Sequence, residues 1–314
     1  MPEQAKLNLY SKYKYIWEQL DNTMDSLFSY IQHYPVIEMD SYGNITVCNT
    51  QEKNIPAFCC HLDTVHKNEP ELELVHDILL ISTNDEGVGG DDKCGIIACL
   101  ELLQSVPCKC IFFRDEERGC QGSHDFDTDS LKDNLFCIEI DRRGARDLIF
   151  DGSNGEMCGK EFQDRVKKFF PHCSPTKGGL TDVCVLGNAG INMMNLSAGY
   201  YKPHTAKEYV VLPELQTNIN CLRLLAMDIM KNPLKDKNYE RRVTYYETWG
   251  NIQKRYWSKR QDDMFDKDAG EDDYNACQYG TGVTRSGADV AEKSSAQTHV
   301  DSLEKLYKKY GGEK

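Results

Sequence analysis

The segment from Ile55 to His66 reads Ile-Pro-Ala-Phe-Cys-Cys-His-Leu-Asp-Thr-Val-His, apolar at first and then abruptly polar. A short apolar run that stops at polar side chains is the pattern of a buried strand whose end opens into a site. His61 and Asp63 alternate, so on an extended backbone both side chains leave on the same face. An imidazole can bind a metal through one ring nitrogen while a carboxylate holds the other and fixes the tautomer. Taken alone, the pair is better read as a buried histidine with a satisfied hydrogen bond beside a turn aspartate. Its neighbours along the chain change that weighting.

Three further elements, one Gly-rich turn and two apolar runs, also deliver acids. Gly87-Val-Gly-Gly-Asp91-Asp92-Lys-Cys-Gly95 places two carboxylates ahead of an expected helix, Lys93 to Gln104, apolar on one side. Paired glycines allow a close approach of the backbone to something else. The bare motif is also a plausible helix cap with its turn. The strand Cys110 to Phe113 runs into Arg114-Asp115-Glu116-Glu117-Arg118-Gly119, and Leu135 to Asp141 runs into Arg142-Arg143-Gly144. Consecutive acids repel unless cations sit nearby. A later strand, Ile191 to Leu196, leads to His204 in Tyr-Tyr-Lys-Pro-His-Thr-Ala-Lys-Glu-Tyr. His33, His66, His76, His124, His172 and His299 have no comparable settings and are taken as surface or core residues. In open α/β sheets, ligands bind beyond the carboxyl ends of the strands. Four separate elements deliver His61, Asp91, Glu116 with Glu117, and Asp141 to such an edge.

The elements that must position these groups are an alternation of short strands and helices. Helical spacing of Tyr13, Ile16, Leu20, Met24, Leu27 and Ile31 predicts one or two helices between Leu7 and Tyr34. Val36–Met39 and Ile45–Cys48 flank a Ser-Tyr-Gly-Asn turn and predict a hairpin. Ile78–Ile81 and Leu148–Phe150 predict short strands. Helices are expected near Gly159–Phe170 and Pro213–Met230.

Composition narrows the class. The 314 residues carry a net charge of −13. Residues 237–314 hold 14 Lys/Arg and 14 Asp/Glu, so the whole excess falls on the first 236 residues, with 23 basic and 36 acidic. An acidic body disfavours nucleic acid as a partner. The chain shows no run of about 18 apolar residues, so no membrane association is expected. The polar, Tyr-rich N-terminal stretch is unlike a signal peptide, and fourteen cysteines then point to free thiols in a reducing, cytoplasmic setting. No pair of matched C-x2-C motifs suggests a structural zinc ribbon.

The ordered set His-x-Asp-Thr-Val, Gly-Asp-Asp-Lys-x-Gly, Asp-Glu-Glu-x-Gly, the aspartate of Ile-Asp-Arg-Arg-Gly, and His-Thr-x-x-Glu-Tyr resembles the co-catalytic zinc exopeptidases. The most similar group is the peptidase T-like and related aminopeptidases, over about residues 5–232. The resemblance implies two Zn2+ ions, with Co2+ or Mn2+ as substitutes. It implies that His61 and Asp141 bind one ion, that Glu117 and His204 bind the other, and that Asp91 bridges them. It makes Asp63 the residue that orients His61, and Glu116 the general base. It also implies a cis peptide between Asp91 and Asp92. The chemistry agrees: N/O ligands without thiolate suit a catalytic zinc with an open position.

Two departures from the family pattern shape the expectations. The interval between Asp141 and His204 holds only elements that the catalytic layer needs, so no lid domain fits there. The expected architecture is a three-layer α/β/α sandwich with a mostly parallel central sheet over residues 1–235. Residues 236–314 form an extension. A helix over 239–261 bearing Trp249 and Trp257 is expected there, then an acidic run over 262–273, a linker over 279–298 and a short helix over 301–310. The extension reads equally as a docking or homo-oligomerisation segment and as a loose appendage. The leading function is an aminopeptidase acting on a small peptide. A deacylase acting on a small acyl-amide metabolite would use the same site. A binding protein retaining the fold is disfavoured, since no ligand position is missing.

Overall fold

The computed structural model describes residues 8–22 and 24–239. The helices, acidic run and linker expected beyond residue 239, with Trp249, Trp257 and His299, lie outside the described residues.

The chain begins with α1 (Leu9–Lys12), α2 (Lys14–Glu18) and α3 (Met24–Ile31), then the hairpin β1 (Val36–Met39) and β2 (Ile45–Cys48). The one or two helices expected here are three short pieces. Between α2 and α3, tertiary bonds interrupt the helical ladder: the Asn22 N–H donates to the Leu62 carbonyl at 3.1 Å, and the Trp17 carbonyl accepts from Lys93 Nζ at 2.8 Å. Next come β3 (Ala57–His61), β4 (Leu72–Val75), β5 (Leu79–Ser82), α4 (Gly90–Leu103), β6 (Lys109–Phe113) and α5 (Gln121–Asp125). The second half runs β7 (Cys137–Arg142), β8 (Asp147–Gly152), β9 (Gly155–Glu156), α6 (Lys160–Phe169), β10 (Ser174–Lys177) and α7 (Asp182–Val185). It closes with β11 (Met193–Ser197), β12 (Tyr200–Tyr201), β13 (Tyr209–Val211) and α8 (Leu212–Lys231).

The main sheet has the order β1-β2-β6-β3-β7-β11-β8-β10, with β9 beside β8. Its centre, β6-β3-β7-β11, is parallel throughout. The β10–β8 pair is also parallel, whereas β1–β2, β2–β6, β11–β8 and β8–β9 are antiparallel. The sheet is therefore mixed, with its parallel block where the acidic strand ends lie.

Alternation along the central strands makes the sandwich. Phe58 and Cys60 of β3, Cys110 and Phe112 of β6, and Ile138 and Ile140 of β7 face one apolar layer with α4, α6 and α8. Their neighbours Ala57, Cys59, Ile111, Phe113 and Cys137 face the opposite layer with α7. Side chains of period two on strands buried on both faces require this division. The helix α4 was expected to be apolar on one side, yet nearly all its residues are buried. It lies between the sheet and α8, so it has no solvent face to make polar.

A second, antiparallel sheet, β12-β13-β5-β4, was not anticipated as a unit. Between Asp141 and His204 the chain forms β8, β9, α6, β10, α7, β11 and β12, all strands of the two sheets or helices beside them. No lid domain interrupts these described residues. Among the described residues, no helix is long and apolar enough to cross a membrane.

Candidate metal centre

Parallel strands end together, and this brings the distant acids into one place. β3 runs level with β6, His61 beside Phe113, so the turn after Phe113 sets Glu116 and Glu117 next to the end of β3. β7 pairs on the other side of β3 and carries Asp141. The start of α4 enters the crevice between them. Gly89 has φ +71°, and Asp91 and Asp92 have non-helical dihedrals joined by a cis peptide. At Gly90 a Cβ would stand 2.7 Å from Tyr200 Cβ and Val210 Cγ2. Only glycine lets the β12–β13 hairpin, whose loop carries His204, come this close.

The convergence is tight. His61 Nε2 lies 3.0 Å from Asp91 Oδ1 and 3.8 Å from Asp141 Oδ1. His204 Nε2 lies 3.2 Å from Asp91 Oδ2 and 2.9 Å from Glu117 Oε1. The two oxygens of Asp91 thus face two different histidines, one on each side.

Asp63 differs from expectation in its contacts. The closer partner of His61 Nδ1 is the Asp63 backbone carbonyl, at 2.9 Å, with the carboxylate at 3.4 Å. The carboxylate accepts the backbone N–H groups of Glu116 at 3.1 Å and Glu117 at 3.2 Å. It ties the acidic turn to the end of β3.

Several buried groups were not assigned a role from sequence. Tyr200 donates its hydroxyl to Asp141 Oδ1 at 2.8 Å, and Asn195 brackets the Asp141 backbone at 2.8 and 3.1 Å. Asp92 accepts the Gly95 N–H at 2.8 Å and the His61 N–H at 3.3 Å. Glu208, the glutamate of His-Thr-x-x-Glu-Tyr, accepts the N–H of Gly89 at 2.6 Å and of Asp91 at 3.0 Å. His66, set aside as surface or core, stands 3.1 Å from Glu208. The only sequence signal for these was proximity to a motif.

The electrostatics of the cluster call for positive charge. Burial and the neighbouring Asp91 push Asp141 well above the usual carboxylate range. Burial, with Glu117, Glu139 and Asp91 nearby, pushes Glu116 up to about 8 despite His61. Burial opposes protonation of His204, yet its bonds to Asp91 and Glu117 raise it to about 11. His61 is likewise raised against its burial, by Asp63 and Asp91. Lys93, the nearest lysine in sequence, turns away and donates to the carbonyls of Trp17 and Val88. Burial lowers it to about 8.

These residues fit divalent cations. Both nitrogens of His61 face acceptors, whereas a neutral imidazole has one N–H. With Nδ1–H donating to the Asp63 carbonyl, Nε2 offers its lone pair toward Asp91 and Asp141, where a cation satisfies all three. His61, Asp91 and Glu117 present ligand atoms within 4.8 Å of one another, as do His61, Asp92 and Asp141. The donors are imidazole and carboxylate, a set suited to zinc and its borderline neighbours.

Solved structures share this fold. Aminopeptidase PepT from Bacillus cereus ATCC 10987 is 13% identical with a TM-score of 0.62, covering 71% of this chain and 98% of its own. A tripeptidase from Staphylococcus aureus subsp. aureus Mu50 is 14% identical with a TM-score of 0.58, over 71% of this chain and 98% of its own. The TET1 peptidase of Pyrococcus horikoshii is 11% identical with a TM-score of 0.54, over 68% of this chain and 98% of its own. No curated protein matches the chain in sequence. The family model of peptidase family M28 matches residues 44–227, more than half of the chain and all of the segments carrying the cluster. This chain therefore belongs to peptidase family M28, the metal-dependent peptidases.

Proposed function

We propose that the protein is an aminopeptidase that hydrolyses small peptides at a centre of two divalent cations, Zn2+ in the first instance. The observation that carries the reading is Asp91, whose two oxygens face His61 and His204 on opposite sides. His61 and Asp141 would hold one ion, Glu117 and His204 the other, and Asp91 both. When bound, such a pair polarises the scissile carbonyl and acidifies an attacking water.

The chain supplies the rest. Glu116 is the general base: it takes the proton of the attacking water and returns it to the leaving amine. Asp63 holds the turn that separates Glu116 from Glu117, so that one side chain serves as ligand and its neighbour stays available. The Asp63 carbonyl keeps His61 in the tautomer that offers Nε2. Tyr200 and Asn195 fix Asp141.

Free thiols at all thirteen cysteines among the described residues fit a reducing compartment, the cytoplasm. The tetrahedral or octahedral assemblies of the archaeal TET1 peptidase suggest testing for a homo-oligomer here. The extension after residue 235 is the segment to delete in that test.

A panel of matched aminoacyl and N-acyl substrates tests the activity. Cleavage that requires a free α-amine supports an aminopeptidase. Cleavage of N-acyl substrates alone identifies a deacylase with the same centre.

A further inference from the structure

Three segments bring ligands to the centre from different parts of the chain. The end of β3 carries His61, the start of α4 with the loop before it carries Asp91, and the β12–β13 loop carries His204. All three meet again at one side chain outside the centre, His66. This residue follows His61 on the first segment. Its Nδ1 accepts the N–H of Gly87, on the second segment, at 3.3 Å. Its Nε2 then carries the hydrogen and donates to Glu208 Oε2, on the third segment, at 3.1 Å. Glu86 Oε2 stands 3.6 Å from Nδ1, beyond hydrogen-bond reach.

Glu208 passes the constraint on. It is buried, and its carboxylate closes over the loop that leads into α4, accepting Gly89 N–H at 2.6 Å and Asp91 N–H at 3.0 Å. The backbone of the bridging aspartate is thereby held by the segment that carries His204. A Cβ on Gly87 would stand 2.3 Å from His66 Cε1 and 2.7 Å from the Thr205 carbonyl. The ring is clamped between the second and third segments with no slack.

We infer that His66, acting through Glu208, is a positioning residue that sets the spacing between the two halves of the metal centre. It touches neither ion and takes no part in proton transfer. The inference rests on the two-cation reading above. Outer groups that orient ligands typically change metal affinity 10–100-fold when removed. Loss of the His66 node should act mainly on the ion held by Glu117 and His204, because those ligands leave loops.

The test is Zn2+ titration by calorimetry on the full-length, chelator-stripped chain, with the exchange coupling of a Mn2+-loaded sample read by electron paramagnetic resonance. Wild type should take up two ions with a coupled signal. His66→Phe removes both hydrogen bonds and should weaken the second ion about tenfold or more, with loss of the coupling. His66→Gln supplies one acceptor and one donor in place of the two ring nitrogens and should recover most of both. Gly87→Ala leaves His66 in the sequence but crowds both its ring and the Thr205 carbonyl, and should reproduce the His66→Phe result even if His66→Phe itself fails to fold. Two-ion uptake and coupling at wild-type strength in Gly87→Ala or a folded His66→Phe would overturn the inference while leaving the metal reading intact. A wild-type chain that binds no pair of ions would sink both together.

Discussion

The two halves of the centre are built differently. His61 and Asp141 stand on the ends of adjacent parallel strands, with side chains 0% and 7% exposed. Glu117 and His204 stand on loops, with side chains 12% and 29% exposed. The first half is placed by a ladder of backbone hydrogen bonds that the core already enforces. The second half has no ladder. Asp63 holds the Glu117 turn by two N–H groups, and the Glu208–His66 pair ties the His204 loop to the start of α4. Asp91 belongs to both halves. The contrast teaches that a strand end is placed by the ladder and only its side chain needs partners, Tyr200 for Asp141 and the Asp63 carbonyl for His61, whereas on a loop the backbone itself must be tied down.

The largest effect should come from removing what the halves share. On the two-cation reading, Asp91→Ala should lose both ions and all measurable turnover, because it would remove the shared ligand and leave two cations facing each other. Metal analysis showing both ions retained would mean that the halves do not share Asp91. Next, the ligand variants separate the halves. His204→Ala should keep one ion, on the strand-borne side, while His61→Ala should lose binding on that side first. Equal loss in both variants would erase the distinction between ladder and loop.

Glu116→Gln tests the base without touching the ligands. Turnover should fall about 10²–10⁴-fold with metal content unchanged. Near-normal turnover would exchange the roles of Glu116 and Glu117.

A smaller effect follows from titration of the chelator-stripped protein. Glu116 is raised in the fold from 4.5 to about 8, and His204 from 6.5 to about 11. Both are raised, so both favour the protonated folded state. The Glu116 contribution is full below about 4.5 and is lost as pH climbs through about 8. That of His204 is full below about 6.5 and fades through about 11. Without metal, the urea midpoint should therefore fall between pH 6 and pH 9, and Glu116→Gln should flatten the slope. A midpoint that rises over this window would show that the acids are not crowded as described.

The smallest expected change is Tyr200→Phe. It deletes one hydrogen bond to a buried carboxylate and should destabilise the fold by about 1.5–3 kcal/mol. Since the bond belongs to the strand-borne half, Zn2+ affinity should fall first on that side, as read by the same titration.

Most of the strand-borne half was legible in the sequence. Apolar runs ending in His61 and Asp141 are local patterns, and a buried parallel strand needs nothing more to be recognised. The motif order also pointed to Glu117 and His204, although nothing local explained what holds them. The N-terminal helices were legible as helices, but the break between α2 and α3 was not, because Leu62 and Lys93 capture an amide and a carbonyl there from afar. The antiparallel flanks of the main sheet were not legible, since pairing direction depends on which strands become neighbours.

Short stretches of the chain already carry the groups that could bind and move charge, and the order in which they are presented. Chemical type and period-two alternation are properties of short segments and survive without the fold. The folded molecule was needed to show that Asp63 sets its carbonyl against His61 and its carboxylate against the Glu116–Glu117 turn, and that His66 meets Glu208. The last pair lies 142 positions apart. No propensity or motif encodes such a meeting. It exists because burying both apolar faces of the sheet leaves the crevice at the strand ends as the place where these loops converge.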